Sequence, residues 1–159
     1  MYRIGQGSDI HRLETGRPLI LGGVSIVSDK GAVGHSDADA LTHAVTDAIL
    51  GALALGDIGT HFSDKDERWR GAESFVFLRF VVGLMKEKGF AVVNVDSTIS
   101  LEKPRLRPFI DAMRENLAGA LEIETASVSV KAKTGEKVDA VGKSEAIKAE
   151  AVVLLQTTA

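Results

Sequence analysis

The sequence has no cysteine, only three prolines and no long apolar run. Without cysteine the chain forms no disulfide bond, and any transition-metal site has to be built from His, Asp and Glu. No apolar run reaches the roughly 18 residues of a membrane-spanning helix, and the charged residues near the start do not fit a signal peptide. These absences predict a soluble, cytoplasmic protein with no membrane partner.

Neither sign of charge dominates the sequence. The 159 residues include 19 Lys and Arg and 22 Asp and Glu, with a formal net charge of −3 at pH 7. The basic residues are dispersed among the acidic ones, which argues against a nucleic-acid partner. With 45% hydrophobic residues and no repeat or linker, residues 1–159 are expected to form a single domain with one core.

Alternation of apolar and polar residues predicts the strands. It favours strands at 2–6, 90–101 and 126–133, and an apolar strand at 18–26 that a Gly-Gly bend interrupts. The clearest alternation lies in the 90–101 segment and predicts one shared face for residues 93, 95, 97, 99 and 101. The last segment, 145–157, fits a strand or a helix by its pattern alone.

Three segments have apolar residues at helical spacing. The first begins near Ser36 with Ser and Asp as candidate caps, the second runs from Ser74 to Lys88 and ends at Gly89, and the third follows Pro108. Because strands and helices alternate along the chain, we expect helices layered on a sheet.

Asp9 and His11 lie two residues apart on an extended segment. Their side chains therefore point the same way and can converge on one metal ion. His43, on the first helix, is a third candidate ligand, and its second ring nitrogen is within reach of Asp39 or Asp47, one turn away on either side. Three such ligands leave a fourth tetrahedral position open, as in catalytic zinc sites. Taken alone, these residue types more often form a turn cap, a surface His or a structural hydrogen bond.

The segment GHSDAD, residues 34–39, places His35 and Ser36 before a helix N-terminus. The first-turn amides of a helix carry partial positive charge and favour phosphate, and His35 can donate to the same anion. The alternative is an ordinary helix cap, since Ser and Asp are common there.

Three further segments carry polar residues suited to a ligand. The 56–66 loop has three Asp among glycines, which suits a polyol or simply a solvated turn. The 100–108 segment is basic around a proline turn and suits a base or phosphates, or serves only as a connection. In the 131–137 segment Thr134 and Glu136 follow a strand, and Glu136 suits Mg²⁺ together with phosphate oxygens.

Together these motifs resemble the 2-C-methyl-D-erythritol 2,4-cyclodiphosphate synthases of the non-mevalonate isoprenoid pathway. The resemblance implies an α+β fold, a ferredoxin-like mixed sheet with helices on one face, assembled as a homotrimer; it also implies that 145–157 is a strand. The matching pieces cover nearly the whole chain and are RIGQGSDIHRL, LGGVSI, GHSDADALTHAVTDAILGALALGDIGTHFSD, NVDSTISLEKPRLRP and SVSVKAKTGEK.

The resemblance also implies a reaction. These enzymes convert 4-diphosphocytidyl-2-C-methyl-D-erythritol 2-phosphate into the cyclic diphosphate and CMP, as the 2-phosphate attacks the β-phosphorus of the same molecule. On the matching positions, Asp9, His11 and His43 would bind zinc, and Glu136 would bind Mg²⁺ or Mn²⁺.

His35 and Thr134 match positions that stabilise the transition state in this family. The active sites lie between neighbouring subunits, with the zinc ligands and the cytidine-binding segment on different subunits. The implied substrate-binding residues are Asp9, His11, His35, Ser36, Asp57, Ile58, Gly59, Phe62, Ser63, Asp64, Lys65, Asp66, Leu101, Glu102, Lys103, Pro104, Arg105, Leu106, Arg107, Lys133, Thr134, Gly135, Glu136, Ala140 and Lys143.

One segment departs from the family pattern. Residues 138–146 read VDAVGKSEA, where relatives usually carry a Leu-Gly-Phe run followed by Gly-Arg and Glu-Gly. Ala140 and Lys143 thus replace an aromatic residue and an arginine near the substrate and near an axial cavity that holds isoprenoid diphosphates in relatives. Lys133 stands where threonine is common. These replacements weaken the case for the axial ligand in this protein.

Two other functions can use the same residues. A zinc-dependent phosphohydrolase or nucleotidase would activate water at the open metal position and release a linear phosphate product. A non-catalytic trimer would bind a cytidine nucleotide or an isoprenoid phosphate as a sensor, without turnover. The joint presence of the three zinc-ligand positions, the anion-binding segment and Glu136 favours the synthase.

Overall fold

The computed structural model describes residues 1–158. The strands are β1 (Tyr2–Thr15), β2 (Leu19–Leu21), β3 (Val24–Ile26), β4 (Lys30–Ala32), β5 (Phe90–Ser100), β6 (Val128–Lys133) and β7 (Ala146–Thr157). Five of them form a mixed sheet in the order β4-β1-β7-β5-β6, while β2 and β3 form a separate hairpin. Within the larger sheet only β5 and β6 are parallel.

The three long helices lie on one face of the larger sheet. The helices are α1 (Ala40–Ala52), α2 (Ile58–His61), α3 (Ser74–Glu87), α4 (Ile110–Leu121) and α5 (Asp139–Gly142). Helix α1 packs on β1 and β7, α3 on α1 and β5, and α4 on β6 and α3. Among the described residues, no helix is both long and apolar enough to cross a membrane.

The structure confirms the mixed α+β sheet with helices on one face, and the C-terminal segment is a strand. The main elements β1, α1, α3, β5, α4, β6 and β7 follow the order β-α-α-β-α-β-β, whereas ferredoxin-like folds run β-α-β-β-α-β. The expected ferredoxin-like arrangement therefore holds for the layering but not for the order of the elements.

Strand β1 is much longer than the predicted 2–6 segment. It pairs with β7 from Tyr2–Gln156 to Arg12–Ala146, and its end pairs with β4. Gly, Ser and Asp have low strand propensity, so the partner strand and not the local pattern extends β1. Consequently Asp9 and His11 lie inside a central strand.

A bulge in β5 changes which residues of the strand face the core, compared with the prediction. The register with β7 shifts between Val92 and Asn94, and such a bulge inserts one extra residue into the strand. Phe90 and Val92 therefore share the buried face with Val95, while Val93, predicted to lie on that face, is only partly buried.

Two glycines allow α1 to lie directly on β1. A Cβ atom added at Gly5 would overlap the carbonyl oxygen of Ala48, and one added at Gly7 would overlap that of Ala44. Helix α1 contributes small, fully buried side chains to this contact. The backbones therefore touch, and this contact sets how close His43 of α1 comes to β1.

Asp39 fixes the start of α1. Its carboxylate is fully buried and accepts hydrogen bonds from the amides of Gly22 (2.9 Å), Gly23 (2.8 Å) and Thr42 (3.0 Å) and from the Thr42 hydroxyl (2.8 Å). The predicted Asp cap is thus confirmed, while Ser36 lies outside the helix. The same carboxylate ties α1 to the turn between β2 and β3.

Replacing Gly7 with Ala would force a methyl group between β1 and α1. We expect the free energy of unfolding to fall by about 1–3 kcal/mol, because overpacking moves backbone. Urea unfolding at one fixed protein concentration measures this change.

Gly83→Ala in α3 is the matched control, since nothing lies within 4 Å of a Cβ atom added there. It should raise the stability by about 0.5–1 kcal/mol through helix propensity alone. A Gly7→Ala variant as stable as the parent would show that β1 and α1 can move apart without loss of stability, against this prediction.

Candidate metal and substrate site

Asp9 and His11 of β1 and His43 of α1 form one cluster. One possible ligand atom from each residue lies within 4.8 Å of the other two. Asp9 Oδ2 is 2.7 Å from His11 Nε2 and 3.0 Å from His43 Nδ1. The side chains are only 12–24% exposed. The three ligands predicted from sequence are therefore brought together, on a strand and a helix held in backbone contact.

His11 presents a lone pair to this cluster. Its Nδ1 lies 2.9 Å from the carbonyl oxygen of Val33, which can only accept, so Nδ1 carries the hydrogen. The other nitrogen, Nε2, is buried and makes no hydrogen bond, although Asp9 Oδ2 lies 2.7 Å away. Two acceptors facing each other out of water are unfavourable unless a cation lies between them.

The electrostatics of the cluster favour a positive charge. Burial works against the charged carboxylate of Asp9, but its close contacts with the His11 and His43 rings outweigh it, so the pKa of Asp9 falls to about 2. Burial also disfavours a charged His11 imidazole, yet the Asp9 carboxylate raises its pKa. Two imidazole nitrogens and one carboxylate oxygen are a donor set that suits a divalent transition metal.

The carboxylates predicted to hold the second nitrogen of His43 do not do so. Asp39 caps α1, and Asp47 accepts a hydrogen bond from the Ile58 amide at 2.8 Å. Burial raises the pKa of Asp47, with repulsion from other carboxylates adding to the effect. Instead, His43 Nε2 lies 2.7 Å from the Ser74 hydroxyl. The sequence pattern indicated only a helix start at Ser74, because nothing local links it to His43.

The segment before α1 is held by the residues that precede α3. The Gly71 amide donates to the His35 carbonyl at 2.8 Å, and the Asp37 amide donates to the Ala72 carbonyl at 3.0 Å. His35 Nε2 donates to the carbonyl of Asp66 at 3.0 Å. This leaves the Nδ1 of His35 for another partner and fixes the plane of its ring.

The predicted phosphate site at the N-terminus of α1 needs correction. The Thr42 amide of the first turn is taken by Asp39, whose carboxylate would also repel an anion. Ser36 lies elsewhere, with its hydroxyl 3.3 Å from His43 Nε2 and accepting the Ala38 amide at 3.4 Å. The Ser36 hydroxyl therefore lies beside the Nε2 edge of the His43 ring and not at the helix end.

The 56–66 loop is mostly exposed. Asp57 caps α2, which includes Ile58 and Gly59, and accepts from the Thr60 amide and hydroxyl, both at 2.9 Å. Asp66 pairs with Arg68 at 2.6 Å. Those interactions match the solvated-turn interpretation, while the second carboxylate oxygen of Asp57 and the exposed side chains of Ser63, Asp64 and Lys65 remain for a ligand.

Phe62 differs from its neighbours in this loop. Its side chain is buried, with its ring 4.5 Å from that of Phe77 and 5.2 Å from that of Trp69 between centroids. Phe62 therefore anchors the loop to the core, and the prediction that it contacts substrate is not supported by its position. The neighbouring Trp69 was not singled out from the sequence, because a single Trp carries no periodic signal.

The 100–108 and 131–137 segments lie side by side at the carboxyl ends of β5 and β6. The Leu101 amide donates to the Lys133 carbonyl at 2.9 Å, and the Gly135 amide donates to Glu102 Oε2 at 3.0 Å. The Thr134 hydroxyl donates to Glu136 Oε1 at 3.2 Å. Leu101 and Leu106 are buried core residues, while the exposed side chains are Lys103, Arg105, Arg107, Lys133, Thr134 and Glu136.

These segments do not meet the metal cluster within one protomer. Asp9 is aligned across the sheet with Ala149 of β7, Ile99 of β5 and Ala132 of β6. Three strand spacings separate Asp9 from Ala132, a distance of about 14 Å. The structure therefore forms two half-sites on one chain.

Surface cavities border both half-sites. His11 and Ala140 line a cavity of ≈ 610 Å³, and Lys103 and Pro104 line another of ≈ 550 Å³. Lys30 lines both cavities, and its ammonium group donates to the Ser144 carbonyl at 2.9 Å. The altered 138–146 segment thus lies beside the metal cluster, with Lys143 exposed at the end of α5.

Known proteins are similar to this chain in sequence and in fold. A family model described as the YgbB family matches residues 2–156. A curated 2-C-methyl-D-erythritol 2,4-cyclodiphosphate synthase of Laribacter hongkongensis is 57% identical over 155 residues, which is 98% of this chain and 96% of the relative.

Solved structures of proteins with the same name also match this chain. One 2C-methyl-D-erythritol-2,4-cyclodiphosphate synthase is 43% identical, with a TM-score of 0.90 over 97% of this chain and 100% of the other. An IspF of Plasmodium falciparum in complex with CDP is 35% identical, with a TM-score of 0.88 over 99% and 97%. The chain therefore belongs to the YgbB family, the family of the 2-C-methyl-D-erythritol 2,4-cyclodiphosphate synthases.

Proposed function

We propose that this protein converts 4-diphosphocytidyl-2-C-methyl-D-erythritol 2-phosphate into 2-C-methyl-D-erythritol 2,4-cyclodiphosphate and CMP, a step of non-mevalonate isoprenoid biosynthesis. The observation that carries the proposal is the Asp9, His11 and His43 cluster, in which a buried imidazole lone pair faces a carboxylate. Relatives at 54–57% identity bear the name of this synthase, and a related structure holds CDP.

The metals are part of the proposal. Asp9, His11 and His43 would hold zinc, and Glu136 would hold Mg²⁺ or Mn²⁺. When bound, the two ions supply positive charge for the phosphate oxygens in the transition state. The N/O donor set fits zinc, and the exposed carboxylate of Glu136 fits a hard cation that also takes phosphate oxygens.

The chain's own residues position the substrate. The attacking phosphate belongs to the substrate, so no side-chain nucleophile is needed, and the protein acts by aligning the two phosphates and excluding water. His35 and Thr134 would contact phosphate oxygens, His35 through the Nδ1 that its hydrogen bond to Asp66 leaves unused and Thr134 through its hydroxyl. Asp57 would accept from the sugar hydroxyls.

The cytidine-binding segment supplies the other half of the site. Exposed Lys103, Arg105 and Arg107 would attract the diphosphate and cytidine, while buried Leu101 and Leu106 hold the segment to the core. The Gly135 amide bonded to Glu102 keeps this segment beside the proposed Mg²⁺ ligand Glu136.

We infer that the protein is a homotrimer with active sites between protomers. The two half-sites of one chain lie too far apart for adjacent phosphates of one small substrate. The face of the sheet opposite the helices also carries apolar side chains that are 46–72% exposed, namely Tyr2, Ile4, Ile10 and Val152. Exposed apolar surface on a central sheet is typical of a protein interface.

Product analysis separates the synthase from the two other functions. Zinc-loaded protein is incubated with Mg²⁺ and the substrate, and phosphorus NMR follows the products. We expect the cyclic diphosphate and CMP in equal amounts. A linear phosphate product would instead identify a hydrolase, and nucleotide binding without turnover would identify a sensor.

His43→Ala tests the metal ligands. We expect the zinc content of the purified protein to fall and turnover to drop by roughly 10³-fold or more, since metal charge stabilises such transition states by several kcal/mol. Metal analysis by mass spectrometry and a turnover assay measure both effects.

His61→Ala is the matched control, because the His61 ring bonds to the Leu55 carbonyl at 2.9 Å, away from the cluster. It should retain the parent's zinc. Unchanged zinc stoichiometry in a folded His43→Ala trimer would refute the assignment.

Mixed trimers test whether the site is shared. We expect His43→Ala and Glu136→Ala protein, each inactive alone, to regain about a quarter of the parent's activity when unfolded and refolded together, because random assembly pairs intact halves in that share of sites. An assay before and after mixing measures the recovery. Sites contained in one protomer would give no recovery.

A further inference from the structure

We infer that Ser74 and Asp37 are positioning residues that fix the tautomer of His43, so that its Nδ1 lone pair faces the metal position. The inference rests on the proposed metal site. It concerns two residues that belong to neither the predicted ligands nor the predicted substrate contacts, and that lie on the far side of the His43 ring.

The three groups form a continuous chain of hydrogen bonds. Ser74 is the first residue of α3 and is fully buried. Its hydroxyl lies 2.7 Å from His43 Nε2 and is hydrogen-bonded to Asp37 Oδ1. The other oxygen of Asp37 accepts the Ser74 amide at 3.1 Å, so one carboxylate holds both polar groups of Ser74.

The direction of each hydrogen bond follows from the donor count. A carboxylate only accepts, so the Ser74 hydroxyl must donate its one hydrogen to Asp37. Its oxygen can then only accept from His43, which places the ring hydrogen of His43 on Nε2. In a neutral imidazole the lone pair is left on Nδ1, the atom that lies 3.0 Å from Asp9 Oδ2.

The competing tautomer explains why positioning is needed. Asp9 alone would favour a hydrogen on Nδ1 of His43, because a hydrogen bond to a carboxylate is strong. That hydrogen would occupy the side of the ring where the metal has to bind. Ser74 and Asp37 oppose this by taking the hydrogen on Nε2, as an outer partner of a metal-bound His usually does.

Ser36 also neighbours His43 Nε2, but it is a weaker hydrogen-bond partner than Ser74. The Ser36 hydroxyl is 3.3 Å from His43 Nε2 and also accepts the Ala38 amide. His11 shows the same principle with the opposite nitrogens, since the Val33 carbonyl takes the hydrogen on Nδ1 and leaves Nε2 for the metal. Each imidazole thus presents the nitrogen that its outer partner leaves free.

Ser74→Ala tests the inference through metal affinity. We expect the zinc dissociation constant, measured by competition with a chromophoric chelator, to rise by about 10- to 100-fold. Ser97→Ala is the matched control, because Ser97 is also buried and donates to the Ser129 carbonyl at 2.8 Å, but on β5. The control should keep the parent's affinity. Equal affinity in Ser74→Ala and the parent would overturn the inference.

The tautomer itself is read by nitrogen-15 NMR of metal-free protein at alkaline pH. We expect hydrogen on Nε2 of His43 in the parent and a shift towards Nδ1 in Ser74→Ala. Hydrogen on Nδ1 in the parent would overturn the inference. The NMR measurement does not require metal. A parent protein that fails to bind zinc would therefore refute the proposed metal site, while the position of the His43 hydrogen would still test the inference separately.

Asp37→Asn provides a second variant should Ser74→Ala fail to fold. The amide nitrogen of the new side chain can donate to the Ser74 oxygen, which frees the hydroxyl to donate to His43 Nε2 and reverses the chain. We expect hydrogen on Nδ1 and at least about 10-fold weaker zinc binding. Ser74→Thr, which keeps both the hydroxyl and Asp37, should keep the parent's tautomer. An unchanged tautomer in Asp37→Asn would contradict the inference.

Discussion

Direct contact between the backbones of β1 and α1 is the constraint on which the candidate metal site depends. Gly5 and Gly7 leave no side chain between strand and helix, so the ring of His43 reaches a carboxylate on the neighbouring strand. The buried cap Asp39 holds the start of α1 in the same place. Three ligands from two elements can then converge without any loop that has to become ordered first. A site on rigid elements keeps its geometry when the ion is exchanged.

The direction of the hydrogen bonds to the two imidazole rings decides which nitrogen each ring presents to the proposed metal position. Val33 takes one nitrogen of His11, and Ser74 takes one nitrogen of His43, so each ring offers the remaining lone pair to the same point. The carboxylate of Asp9 lies between them with a lowered pKa. The proposed ion would therefore meet ligands that are already oriented, and binding would cost little reorganisation.

Local patterns explain which parts of this arrangement the sequence could predict. Helix α3 and strand β5 were found from periodicity, and the two-residue spacing of Asp9 and His11 placed both on one strand face. The length of β1, the bulge at Val93 and the contact of Ser74 with His43 depend on partners far along the chain. Periodicity carries no information about such partners. The family motifs agreed with His43 as the third ligand but did not reveal that Ser74 is its hydrogen-bond partner.

In the proposed trimer, the open face of the sheet would also determine how much conformational entropy is lost when protomers associate. It is carried by β1 and β7, which pair from Tyr2 to Arg12 without a break in register. Side chains such as Ile4 and Ile10 thus project from a backbone that is already ordered before a second protomer arrives. Association then loses mainly translational and rotational freedom, since no loop has to be immobilised. The apolar side chains offset that loss by leaving water together, as one rigid surface.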